Sequence, residues 1–546
     1  MAHPIIAAIE PKAVKLKQGE VVYFCRCGRS KDQPFCDGAH AGSGIEPMRF
    51  EAPADDEFYF CQCKQSSDLP LCDGTHERFS EKNVGQSLDD ASASDAASNQ
   101  NAKKSDANDT ARDEFESEIQ VRNTDAEPLL EWVHALAEQD PETFGFGPVA
   151  AMGVPRPRLP QWDDLLIVTA QLARRPLGSD ESVDMLVTLG SGDRRLELAS
   201  PLIVTDMSYG ALSKEAKIAL ARGVAAAGVT HATGEGGVLP EEQAANPKLL
   251  FELGPARFGF DQVDWSRVGG FHVKAGQAAK TGIGGVLPAA KVSEEIASVR
   301  GISAGEDACS PEVDPKLLNP RDFVALFDKV REHAGAIPVG IKLAAQHVEA
   351  DLAFVLECGV DYVVIDGRGG GTAAAPQWLR DHSGVPLQHA IARARDFIDR
   401  HADGAGVRLI ATGGLRTPMD VVKALALGAD AVALGTAAMQ AVGCIGARIC
   451  HTNRCPVGVA TQDPELRSRL DVDKASQRVD RFLRNSAAIV ERFARVCGHA
   501  RVAEFARDDL VTTNPALSDA LGVSNAGVDR TEMNRGWPMP GATSQR

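Results

Sequence analysis

The chain has 546 residues, 44% of them hydrophobic, and a formal net charge of −17. That length suits two or three domains, and that charge argues against a nucleic-acid binder, which needs a basic face. No apolar run reaches the roughly 18 residues of a membrane span. The N-terminal MAHPIIAAIEPKAVKL lacks the basic start, apolar stretch and cleavage site of a secretory signal, so a cytoplasmic protein with no nucleic-acid or membrane partner is expected.

The twelve cysteines do not read as a disulfide framework, because nine fall in three tight groups that a reducing compartment would keep as ligands. Cys309, Cys358 and Cys497 are left over, the last two in helix-like stretches where a packed thiol is expected.

Residues 1–80 carry two segments with a period of 36, at about 20–45 and 56–80. The first places Cys25, Cys27, Cys36 and His40 in a frame with Ser30, Pro34, Asp37 and Gly38. The second places Cys61, Cys63, Cys72 and His76 at identical offsets, with Ser66, Pro70, Asp73 and Gly74. Pro and Gly turns let so short a loop close around metal. Each unit is too small for a core of its own, so metal should supply folding energy. Zinc is the other chemistry that three cysteines and a histidine allow. Zinc pairs are usually Cys-x2-Cys, whereas the first pair here is Cys-x-Cys.

The pattern resembles the CDGSH iron–sulfur domain. The resemblance implies two 2Fe-2S clusters, one on Cys25, Cys27, Cys36 and His40 and one on Cys61, Cys63, Cys72 and His76. They would pass electrons or sense redox state.

Residues 81–118 are rich in Ser, Ala, Asp and Asn and bury too little apolar surface to offset chain entropy. An acidic disordered linker is expected, either an inert spacer or a tether. Residues 119–160 read as a lead-in, with a helical pattern after Pro128 and an irregular stretch at Pro148–Pro160.

From 161 to 510, short apolar strands alternate with helical patterns. The strands are Pro201–Thr205, Val229–Ala232, Gly270–Lys274, Pro338–Leu343, Tyr362–Asp366, Arg408–Thr412 and Ala431–Leu434. Such alternation predicts a parallel α/β fold, and the number of units favours a (β/α)8 TIM barrel over an open sheet. Residues 511–546 read as a tail.

Glycine-rich loops follow the strands: MSYGALS from Met207, TGEGG from Thr233, QAAKTGIGG from Gln277, DGRGGGT from Asp366, TGGL from Thr412, and Gly435-Thr436. Glycines there let backbone amides approach a ligand, and the last two sites fit a phosphate pocket late in a barrel. The run Gly443–Asp463 then brings Cys444, Cys450 and Cys455 together, followed by Pro456. Thiolates so spaced suit one soft metal centre, and a Cys-Pro end is common in iron–sulfur runs.

Over roughly 160–500 the order and spacing of these segments resemble the FMN-binding domain of glutamate synthase. The resemblance implies FMN, with its phosphate on Gly413, Gly414, Gly435 and Thr436 and its ring near Ser208, Gly210, Ala211 and Lys342. Asp366, Gly367, Gly370, Gly371 and Thr372 form a further cofactor loop. A 3Fe-4S cluster would sit on Cys444, Cys450 and Cys455. Lys274, Gln277 and Lys280 match the loop that binds 2-oxoglutarate or FMN, where a cation suits an anionic substrate. Glu235 is the carboxylate placed to position an imine or relay a proton.

The chain departs from the family in places. It has no nucleophile cysteine after Met1 and no recognisable glutaminase domain, so a separate glutaminase subunit or free ammonia would supply nitrogen. Thr281 and Ala373 replace the usual Pro and Gly, and 305–315 differs from the family's loop. No dinucleotide fingerprint is apparent, so electrons should come from an external donor, a NAD(P)H-dependent reductase subunit or ferredoxin. The expected activity is reduction of the imine of 2-oxoglutarate and ammonia to L-glutamate, an oxidoreductase reaction of the kind acting on CH–NH2 donors. A related enzyme using another amine or 2-oxo acid, or a redox sensor or electron carrier without substrate turnover, are the alternatives.

Overall fold

The computed structural model describes residues 4–53, 55–66, 69–72, 79, 83–87, 130–139 and 147–527. His76, most of the 81–118 linker, much of the 119–160 lead-in and the end of the tail lie outside them. The chain divides into two compact units, Met1–His134 and Ala135–Arg546.

In the first unit the two repeats exchange strands. Lys12–Leu16 pairs antiparallel with Asp56–Phe60, and Val21–Phe24 pairs with Met48–Glu51. Shifted by the same 36 residues, Lys12–Leu16 falls on Met48–Glu51 and Val21–Phe24 on Asp56–Phe60, so each half extends one strand ahead of its metal-binding segment and every strand of one half bonds to the other half. This solves the size problem of a small unit, because both halves bury one shared core. Phe24 and Phe60, 36 residues apart, are fully buried and stack with ring centroids 6.2 Å apart. Phe35 and Phe50 meet Phe60 edge-on at 5.4 and 5.3 Å.

The second unit is a ring of eight parallel strands. They are β1 (Leu202–Val204), β2 (Thr230–His231), β3 (Leu249–Leu253), β4 (Val268–Lys274), β5 (Val339–Ala344), β6 (Tyr362–Asp366), β7 (Arg408–Thr412) and β8 (Ala431–Leu434). Each pairs with its neighbour in sequence from β3 to β8, then β8 pairs with β1 and β1 with β2. A parallel bridge between Ala232 and Leu250 carries the ring from β2 towards β3. The strands are almost wholly buried, as expected where helices cover a parallel sheet. The eighth strand is β3, LLFEL, which the sequence analysis does not name. Only a one-turn 3-10 segment, Trp265–Arg267, lies between it and β4 in place of a crossover helix.

Helices α1 (Lys214–Ala226), α2 (Pro320–Ala334), α3 (Val348–Glu357), α4 (Leu387–Arg400) and α5 (Pro418–Ala426) make five of the other connections, and the six-residue helix Pro240–Ala245 makes the sixth, from β2 to β3. Their ends obey local chemistry. Ser213 caps α1 by accepting from the Ala216 amide, and Asn319 and Thr417 form capping boxes with Asp322 and Asp420. A 26-residue helix, α6 (Val472–Cys497), packs on α1. The start of the tail is folded: Leu510–Thr512 pairs with Leu166–Ile167 and Ser524–Asn525. Among the described residues no helix is long and apolar enough to cross a membrane.

Candidate active site at the barrel mouth

The loops after the strands enclose a cavity of about 510 Å³. Strand geometry puts alternate side chains on one face, which directs His272 and Lys274 of β4 inward. Lys342 of β5 stands beside Lys274 in register.

Two cations and two carboxylates meet in the barrel. Lys342 Nζ lies 2.7 Å from Asp206 Oδ2 and 3.3 Å from Glu252 Oε2. His272 Nε2 lies 2.8 Å from Asp206 Oδ1 and 3.5 Å from Glu252 Oε2. Burial opposes ionisation of Asp206, but Lys342 and His272 hold its carboxyl well below the usual range. Burial likewise opposes charge on His272, yet Asp206 and Glu252 raise it to about 9. Asp206, Glu252 and His272 are the only three His, Cys, Asp or Glu residues among the described ones whose ligand atoms all lie within 4.8 Å. The Lys342 ammonium already supplies the positive charge there.

A second group lines the same cavity. Glu235 Oε1 is 2.9 Å from Lys274 Nζ and 3.8 Å from Lys280 Nζ. Burial raises the Glu235 carboxyl, but Lys274 and then Lys280 hold it down to about 2. Burial, followed by repulsion from Lys274, pushes Lys280 down to about 8. Arg300 is buried and donates from Nη2 to the Tyr209 carbonyl at 2.7 Å. Its Nε has no partner among the described residues, and the side chain lines the cavity. Gln277 is held by donating to the Gly371 carbonyl at 2.6 Å. The 305–315 segment forms a strand, Ala308–Ser310, against Gly285–Leu287. It brings Ser310 Oγ to 3.5 Å from Glu235 Oε2.

Ser208, Gly210, Ala211, Asp366, Gly370, Gly371, Thr372, Gly413, Gly414, Gly435 and Thr436 all line the cavity. Gly413 needs to be glycine: its φ is +115°, and a Cβ there would overlap the Gly367 carbonyl oxygen. A side chain at Gly370 would overlap the Asp366 carboxyl. The result is bare backbone at the mouth, which suits a phosphate and a flat ring. Gly367 is not among the lining residues; a side chain there would strike Leu387 of α4. Burial pushes Asp366 up to about 6, limited by Lys342.

Cys450 also lines the cavity. Burial, then Cys444 and Cys455, push its thiol up to about 11. Three thiols gathered by one loop, followed by Pro456, suit a soft metal centre.

In the N-terminal repeats, Cys25 Sγ and Cys27 Sγ are 3.7 Å apart, and Cys36 Sγ and His40 Nδ1 are 3.0 Å apart. No three of these four ligand atoms fall within 4.8 Å of one another. Two separate pairs fit two metal ions better than one. Cys61 and Cys63 repeat the first pair, at 3.5 Å.

Sequence reasoning missed Asp206, Glu252, His272 and Arg300. A charged residue inside an apolar strand, as in LLFEL and FHVK, was the available signal.

Residues 165–500, more than half of the chain, match the family described as a conserved region in glutamate synthase. This chain belongs to the glutamate synthase family. That makes it a member of a family of glutamate synthase-type oxidoreductases. Residues 4–41 match the iron-binding zinc finger of CDGSH type. An archaeal-type glutamate synthase (NADPH) of Thermotoga neapolitana is 35% identical over 396 residues, 67% of this chain and 77% of that protein. A glutamate synthase large subunit-like protein of Rhizobium meliloti is 34% identical over 391 residues, 68% of this chain and 88% of that protein. Among solved structures, a flavocytochrome b2 mutant is 18% identical with a TM-score of 0.44, covering 76% of this chain and 92% of that one.

Proposed function

We propose that this member of the glutamate synthase family is an iron–sulfur flavoprotein that reduces the imine of 2-oxoglutarate and ammonia to L-glutamate. One observation carries the reading. A single cavity gathers the Gly413–Gly414 and Gly435–Thr436 backbone, Lys342, the Glu235–Lys274–Lys280–Arg300 group and Cys450.

The residues present fit the groups that the family implies. Gly413, Gly414, Gly435 and Thr436 would hold the FMN phosphate, with Ser208, Gly210, Ala211 and Lys342 near the ring. Bound FMN supplies hydride from its N5 to the imine carbon. Cys444, Cys450 and Cys455 would hold a 3Fe-4S cluster, and the N-terminal repeats two 2Fe-2S clusters. Residues 1–80 and 161–510 are then the two working domains.

The chain's own side chains bind and orient the substrate. Lys274, Lys280 and Arg300 outnumber Glu235, so the pocket has excess positive charge for a dicarboxylate. Glu235 is ionised at neutral pH and accepts from an imine or ammonium nitrogen. Electrons come from an external donor, a NAD(P)H-dependent reductase or a ferredoxin. Relatives that carry NADPH in their names favour the first.

A second reading keeps the cofactors and changes the amine or 2-oxo acid. Ile283, Val286 and Leu287 give the cavity an apolar wall, which suits an N-substituted product. One experiment separates the two. Anaerobic, dithionite-reduced protein should be reoxidised by 2-oxoglutarate plus ammonia and by neither alone. Reoxidation only when an alkylamine replaces ammonia selects the second reading.

A further inference from the structure

We infer that Lys64 is a shared counter-charge for the two N-terminal iron–sulfur sites and raises the reduction potential of both. The inference rests on reading Cys25, Cys27, Cys36 and His40, and their counterparts Cys61, Cys63 and Cys72, as cluster ligands. It uses nothing of the barrel's chemistry.

Lys64 follows Cys63 in the second repeat. The residue is 3% exposed. Its φ is +62°, a region that disfavours any residue with a Cβ. The counterpart 36 residues earlier is Gly28, with φ +75°. The strained lysine backbone is held in place by where its side chain goes.

That side chain turns inward between the repeats. Its Nζ donates to the Cys61 carbonyl at 3.0 Å. The same Nζ lies 4.3 Å from the ring centroid of Phe24, the residue before Cys25. It thus reaches from the metal loop of one repeat to that of the other. After burial itself, the groups that act most on its charge are the thiols of Cys25, Cys61, Cys63 and Cys27, and no carboxylate of the described residues ranks with them. A buried ammonium is costly unless negative charge sits nearby. Clusters held by thiolates provide that charge.

The first repeat has no room for an equivalent. A Cβ on Gly28 would overlap the Ile5 carbonyl oxygen. The N-terminal segment closes that side, with the Ile5 amide donating to the Cys27 carbonyl at 3.1 Å. The symmetric fold therefore admits this cation at one place only.

Reduction moves one electron from an external one-electron donor to an iron of the cluster, taking Fe(III) to Fe(II). No bond breaks, and each reduction adds one negative charge. A buried cation beside both sites favours the reduced form of both, because low dielectric strengthens the attraction.

The test is a redox titration of the full-length protein with dithionite, followed by EPR. Iron and sulfide analysis comes first and reports separately on the cluster reading. In Lys64→Gln, which keeps a donor for the Cys61 carbonyl, both midpoint potentials should fall. In Lys64→Arg they should stay near those of the wild type. A shift at one site only, or at neither, overturns the inference. So do wild-type potentials in the clusters that remain in partly loaded Lys64→Gln or Lys64→Met, since the lysine would then be structural.

Discussion

Lys274 Nζ lies 2.9 Å from Glu235 Oε1, both inside the barrel mouth. Glu235 neutralises part of the surrounding positive charge; under the proposed function an incoming dicarboxylate would compete with it for Lys274 and Lys280. Glu235→Gln should bind 2-oxoglutarate more tightly but reoxidise reduced protein about 100-fold more slowly, the usual scale for a lost acid–base group. Stopped-flow reoxidation against substrate concentration separates the two effects. An unchanged limiting rate would remove Glu235 from the chemistry.

Lys280 gives the site a pH dependence with a definite sign. Its ammonium is pushed down to about 8 by burial and by Lys274. The binding charge is present below that pH and is lost as pH rises through it. The KM for an anionic 2-oxo acid should therefore climb above about pH 8, while kcat changes less. Lys280→Arg, whose guanidinium keeps its proton, should flatten the KM profile. A profile that is steep in both proteins would assign the titration to another group.

Gly413→Ala tests the cofactor cradle. The φ of +115° and the overlap with the Gly367 carbonyl oxygen leave no place for a methyl. The expected result is near-complete loss of flavin, read as the flavin-to-protein absorbance ratio, with iron in the N-terminal unit retained. Full flavin content would show that this turn does not hold the phosphate.

Phe60→Ala tests the shared core of the repeats. Removing a buried Phe costs about 3–5 kcal/mol, which is large for a small unit. Both N-terminal metal sites should be lost together, measured as iron content in a variant whose barrel still binds flavin. Loss of the second site alone would show that the repeats fold separately.

The legible parts of the molecule are those whose partners are close in sequence. Cysteines two to eleven positions apart announce a metal loop, and an apolar run ending in glycine announces a barrel strand. β3 was not legible because Glu252 interrupts its apolar run and no helix separates it from β4. The charged floor was not legible for a different reason. Asp206 and Lys342 are 136 positions apart, and only closure of the barrel brings them together. Strand exchange was hidden as well, since two identical periods do not say whether a strand pairs within its repeat or across.

That exchange gives the N-terminal unit the architecture of a dimer written into one polypeptide. Two identical subunits must carry the same residue at both related positions, so any substitution strikes twice. In a covalent tandem each half mutates alone. Gly28 and Lys64 occupy equivalent places and differ completely in charge and bulk. If both halves hold a cluster as proposed, a reductant would meet two distinguishable sites on a nearly symmetric frame, and selection could address one without disturbing the other.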